Sequence, residues 1–218
     1  MDTIDRIIAL EWEMFGRVQN IGGRAHCQDD FYTFARMRRS QFEVWDDETR
    51  DSYLSDLRQA KKERRNLLSE KYAYMMRYTA PEEFAALAHR LPPLSPEKEA
   101  LIEDITRAHL DAYADFARRY PLAASLGRPP SLNAGTVGLT SLDAYLRGEL
   151  ATYSLRTLQL YRNFMYRYRA GGQNIAMQTI ALELEKYGCK SLEALEEIIL
   201  HSREVLDNGR EEDLRAHR

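Results

Sequence analysis

The residues of this sequence best placed to do chemistry are charged side chains that fall on apolar helical stripes. Glu11 lies seven residues after Ile4 and four before Phe15, so in a helix all three share one face. Arg38 stands four after Phe34 and four before Phe42. Glu149 sits among Tyr145, Leu146 and Tyr153, Glu183 lies between Ile180 and Tyr187, and His109 comes four after Ile105. An unpaired buried charge is strongly destabilising, so Glu11 and Arg38 are expected to meet if their helices fold back as an antiparallel pair. Two readings stay open here. The set is either a group of structural ion pairs, or the lining of a polar pocket inside a helical bundle. On the second reading, Glu11 and Glu149 are the candidate general acid or base, with pKa values raised by apolar surroundings. Tyr153 is then a candidate hydrogen-bond donor, and Arg38 would orient a carboxylate or phosphate.

A second concentration of reactive types is NIGGRAHCQDD at 20–30. Gly22 and Gly23 allow close backbone approach, and the amides entering the next helix could receive an anion beside Arg24, although Asp29 and Asp30 already supply negative charge there. The alternative is a tight turn with an acidic cap. Cys27 next to His26 is not a catalytic pair by adjacency, because a base must reach the thiol in space. A di-iron carboxylate centre needs Glu-x-x-His pairs, and none occurs among five histidines, so no metal site is expected. The segment RTLQLYRNFMYRYR at 156–169 interleaves arginines with aromatics. That pattern suits base stacking, but it equally suits a buried aromatic stripe with arginines at its rim.

The elements that must position these groups read as helices. Only 11 Gly and 7 Pro occur in 218 residues, and apolar residues recur at spacings of three and four. The expected fold is all-α, a single bundle of roughly seven to nine helices spanning 1–207, followed by a charged, fraying tail at 208–218. The first helix follows Asp2 or Thr3. The second, capped by Asp29 or Asp30, should turn Phe31, Phe34, Phe42 and Trp45 inward. The third runs from about 47 to 78 with a kink or a break at Lys61-Lys62-Glu63-Arg64-Arg65. Thr79 with Glu82, Ser95 with Pro96, and Thr140 with Asp143 mark further starts, the last opening one long Tyr-rich helix to about Tyr168. The Gly/Pro-rich stretch 127–138 is the best loop candidate.

A net charge of -3 with 30% charged and 44% hydrophobic residues excludes a disordered chain and a membrane-spanning one. It also argues against nucleic acid as a partner. Two cysteines and an early-acid N-terminus point to the cytoplasm.

Several segments together resemble an uncharacterised bacterial family, DUF4125. They are EWEMF at 11–15, NIGGRAHCQDD at 20–30, MRRSQF at 37–42, RNLLSEKYAYMMRYTAPEE at 65–83, LPPLSPEKEALIE at 91–103 and YLRGELATYS at 145–154. The resemblance implies a mostly helical bacterial protein. Through relatives joined to a nucleotidyltransferase-like domain, it also hints at a nucleotide-linked context. The sequence departs from the family pattern at His26, where a smaller residue is expected, and at Arg64, where glycine is expected. The first departure argues against a catalytic role for His26. Residue by residue, the resemblance falls on Glu11, Arg24, Gln28, Arg38, Gln41, Arg147, Glu149 and Tyr153 among others. It thereby adds Gln28, Gln41 and Arg147 to the candidate ligand-binding groups. The function expected is binding, with or without transformation, of a small polar or anionic molecule in a bundle pocket. The alternative is a non-enzymatic interaction or regulatory module, with a protein partner such as a nucleotidyltransferase-like chain. No cofactor is indicated.

Overall fold

In the computed structural model, residues 2–19, 23–131 and 140–216 are described, with side chains described up to residue 205. Among the described residues there are eleven α-helices and no strand. In chain order these are α1 (Thr3–Phe15), α2 (Phe31–Val44), α3 (Asp47–Lys62), α4 (Leu67–Thr79), α5 (Pro81–Leu87), α6 (Pro96–Arg119), α7 (Pro121–Ala124), α8 (Leu142–Ala151), α9 (Leu155–Ala170), α10 (Ile175–Lys186) and α11 (Leu192–Ala216).

The all-α expectation stands, but the helix count is higher than seven to nine, for three local reasons. The long third helix breaks at Arg64, whose φ of 58° is left-handed. That region of backbone space favours glycine, so the geometry suits the glycine expected at this position. The single Tyr-rich helix expected from about 140 to 168 is two helices, because Ser154 leaves helical geometry and its side chain accepts from Thr157 N, making it the N-cap of α9. Pro121 starts the one-turn α7 rather than only ending α6. Caps also moved. Ser141, not Thr140, caps α8, and Thr79 bonds back to Met75 O instead of capping α5. Asp2 and Asp30 cap α1 and α2 as their side-chain types demand. The 132–138 part of the expected loop and Gly22 lie outside the described residues. α11 runs as helix through the segment expected to fray, to Ala216.

The helices close a ring in which α1 packs on α3, α3 on α9, α9 on α6, α6 on α8, α8 on α4, and α4 on α1. α2 and α10 bridge α1 to α6 across one side. Ile7, Phe42, Leu57 and Leu158, from four different helices, lose all solvent contact inside this ring, and that burial is the main drive for its closure. A satellite cluster of Phe116, Ala123 and Leu192 seats α7 and α11. Phe31, expected inward, is exposed and stacks its edge on Trp12 at 5.3 Å.

α4 and α8 approach closely where Gly148 faces α4. A Cβ there would sit 2.4 Å from Met75 Cγ and 2.8 Å from Lys71 O. Gly148→Ala should therefore lower unfolding stability by about 1–3 kcal/mol in urea denaturation. Helix propensity alone would raise it by about 1 kcal/mol, so the sign of the change separates the two effects.

Candidate functional site

α1, α2, α4 and α8 each bring one charged side chain to the same interior point. Glu11, Arg38, Lys71 and Glu149 are all at most 5% exposed. Arg38 grips Glu11 with two parallel bonds, Nε to Oε2 at 2.7 Å and Nη2 to Oε1 at 2.5 Å. Its Nη2 also donates to Glu149 Oε1 at 3.0 Å and its Nη1 to Gln41 Oε1 at 2.7 Å. Lys71 Nζ donates to Glu149 Oε2 at 2.7 Å. Tyr53 donates to Glu11 at 2.7 Å, Tyr153 to Glu149 at 2.9 Å, and Gln41 Nε2 to Glu149 at 3.2 Å. Two carboxylates and two cations thus cancel in charge, which is what makes so dry a cluster tolerable.

An aromatic block lies beneath. Tyr53 and Tyr153 rings pack 4.7 Å apart, Trp45 and Tyr161 4.4 Å apart, and the Arg38 guanidinium lies 4.7 Å over the Phe42 ring. At its edge, half-buried His109 shares a 2.7 Å hydrogen bond with Tyr161 OH. Burial pulls the His109 pKa down to about 4, so the ring is neutral at pH 7.

The electrostatics correct the expectation of a raised carboxyl pKa at Glu149. Burial pushes that pKa up, but Arg38 and Lys71 outweigh it and hold the group well below the ordinary carboxylate range. Lys71 is likewise pulled down by burial and more than restored by Glu149, so it stays protonated. The Tyr53 and Tyr153 phenols are pushed well up, by burial first and by the neighbouring carboxylates second. Both remain donors. Glu149 is therefore a fixed negative charge with four donors on it, not a group poised to exchange protons near neutrality.

Two cavities flank the cluster. One of about 220 Å³ is bounded by Phe15, Phe34, Arg38, Leu68, Lys71 and Tyr145, with Cys27, Asp30, Met37 and Arg128 nearer its rim. The other, of about 170 Å³, lies against Gln41, His109, Glu149, Tyr153 and Tyr161, and shares the Tyr145 wall. Lys71 Nζ lies 3.6 Å over the Tyr145 ring and the Arg128 guanidinium 4.8 Å over the same ring. Among the described residues, Lys71 Nζ has one hydrogen-bond acceptor, Glu149 Oε2. At least one N–H of its ammonium therefore remains for the cavity it lines.

Of the residues expected from sequence, Glu11, Arg38, Gln41, Glu149 and Tyr153 come together, and three do not join them. Arg24 clips its own loop, bonding Asp29 Oδ1, Gly16 O and Gln28 O, each at 2.9 Å. Gln28 is fully buried but spends its amide on Phe15 O, Val18 O and Ala25 N, sealing the C-terminus of α1. Arg147 projects from the opposite face of α8 and pairs with Asp143 and Glu103, both at 2.7 Å, beside a separate cavity of about 330 Å³. Glu183 is half-buried on α10, its pKa raised by burial, and away from the cluster.

Lys71, Tyr53, Tyr145 and Arg128 were missed. Leu67, Leu68, Lys71, Tyr74 and Met75 form one buried stripe, so the signal for Lys71 was the same one that exposed Glu11. In the Arg-Tyr segment, Tyr161 and Phe164 are buried while Arg162 and Arg167 pair with Asp104 and Asp46. No group of three or more His, Cys, Asp or Glu able to hold a metal ion occurs among the described residues.

The clamp on Glu149 has a pH signature. A carboxyl with lower proton affinity in the folded chain favours folding above its ordinary value of 4.5, and that contribution is lost as pH falls through the lower folded value. Unfolding stability of the wild type should drop steeply below about pH 4.5. In Glu149→Gln the same acid limb should be flatter, although that variant is less stable at pH 7. Superimposable acid limbs in urea titrations would refute the clamp.

No curated protein and no solved structure matches the chain. The family model described as a protein of unknown function, DUF4125, matches residues 1–197. That span contains every residue of the buried cluster and of its two cavities, and the chain belongs to the DUF4125 family.

Proposed function

We propose that this chain binds a small anionic molecule in the cavity between α1, α2, α4 and α8, with Arg38, Lys71 and Arg128 as the cationic wall. The observation that carries the reading is the ammonium of Lys71. It is buried, held protonated by Glu149, and retains donor capacity toward a cavity. Ordered cationic donors in a low-dielectric wall bind anions better than the same groups in water, since no solvent must be reorganised around them. Arg128 strengthens the case. Its guanidinium bonds Thr140 O at 3.3 Å and stacks on Tyr145, with no carboxylate paired to it among the described residues. Binding fits better than proton transfer, because each oxygen of Glu149 is already engaged by a donor.

Benzoate is a suitable probe, with benzamide as its neutral isostere. In isothermal titration at constant ionic strength, benzoate should bind at least tenfold tighter than benzamide. Arg128→Gln, an exposed site outside the buried cluster, should weaken benzoate at least fivefold and leave benzamide unchanged. Equal affinities for the two probes, or no effect of Arg128→Gln, would overturn the reading.

A further inference from the structure

Resting on that reading, we infer that the ligand is an amphiphilic monoanion: one carboxylate-like head against Lys71, Arg38 and Arg128, carried on an apolar body about the size of a single six-membered ring. Three observations lead there.

The first is volume. A dry cavity of about 150 Å³ accommodates benzene, so about 220 Å³ holds one ring with roughly 70 Å³ left for a head group. Drug-sized ligands fill sites of about 300–1,000 Å³, more than this cavity encloses.

The second is the wall chemistry. Phe15, Phe34 and Leu68 are buried and present only carbon to the cavity, and Tyr72 is half-buried beside them. A bare inorganic anion would leave these surfaces uncovered, whereas a ring removes them from water. Met37, at 43% exposed, stands at the rim, where its flexible thioether can fold over a bound ring.

The third is the charge balance. Glu11 and Glu149 already neutralise Arg38 and Lys71. That leaves Arg128 as the one wall cation without a carboxylate partner among the described residues, while Asp30 stands at the rim with its carboxylate on Thr33 N. The wall cations Arg38, Lys71 and Arg128 thus exceed Glu11 and Glu149 by one charge, which one anionic head balances, while a second negative charge would face only the exposed Asp30 carboxylate that caps α2 at the rim.

Acetate, benzoate, 2-naphthoate and inorganic phosphate, titrated calorimetrically into the intact chain at constant ionic strength, test the inference. Benzoate is expected to bind at least tenfold tighter than acetate or phosphate, and 2-naphthoate at least fivefold weaker than benzoate. Met37→Glu, a change at an exposed position that places a like charge at the rim, should weaken benzoate at least fivefold with an unchanged circular dichroism spectrum. Acetate or phosphate binding as tightly as benzoate would overturn the amphiphile while leaving an anion site in place. Benzamide binding as tightly as benzoate would instead bring down the anion site itself. Naphthoate binding tighter than benzoate would overturn the one-ring limit.

Discussion

A single guanidinium shared between two carboxylates out of water is the constraint on which the rest of the structure depends. Arg38 can satisfy Glu11 and Glu149 together only if α1, α2 and α8 hold their axial positions to within a fraction of an ångström. Lys71 adds the same demand on α4. Hydrophobic burial brings these helices together, but it is non-directional and by itself specifies their register less strictly than a shared buried charge does. The ionic cluster does fix it, because any slip leaves a charge buried and unpartnered. The Gly148 contact serves the same end, letting α4 and α8 approach until Lys71 reaches Glu149.

The cluster is neutral in sum but not symmetric in what it offers its surroundings. Its carboxylate oxygens are engaged by Arg38, Lys71, Gln41, Tyr53 and Tyr153, while its cations keep donor capacity on the side of the larger flanking cavity. A buried ion pair that was purely structural would need no cavity against its cations and no third cation over the same tyrosine. Here Tyr145 carries both Lys71 and Arg128, joining the interior cluster to the segment that leads into α8. On the proposed reading, affinity for an anion and stability of the bundle draw on the same side chains.

Much of this was legible in the sequence, and the failures have physical causes. Glu11, Arg38 and Glu149 stood out because helical periodicity marks a charge on an apolar face, and burial then forces charges to pair. Lys71 and Tyr53 carried the same mark on stripes 67–75 and 53–60, but a lysine or tyrosine on a stripe reads as an edge residue whose polar tip escapes to solvent. Arg24 and Gln28 misled because a loop's polar side chains must also satisfy backbone groups at helix ends, and spacing does not tell that duty from ligand binding. Arg147 misled for a simpler reason: two residues before Glu149 on a helix is the opposite face. The stacking of Arg128 on Tyr145 joins residues either side of the segment 132–139, and no local pattern encodes it.

A double-mutant cycle on Glu11 and Arg38 is the most direct measurement of the shared guanidinium. Glu11→Gln and Arg38→Met should each cost about 3–5 kcal/mol of unfolding stability, because each strands a buried partner. The double variant should cost well below the sum, giving a coupling of about 2 kcal/mol or more. Losses that add to within about 0.5 kcal/mol would mean that the two side chains do not hold each other in the interior, and the convergence of α1, α2, α4 and α8 on Arg38 would be contradicted.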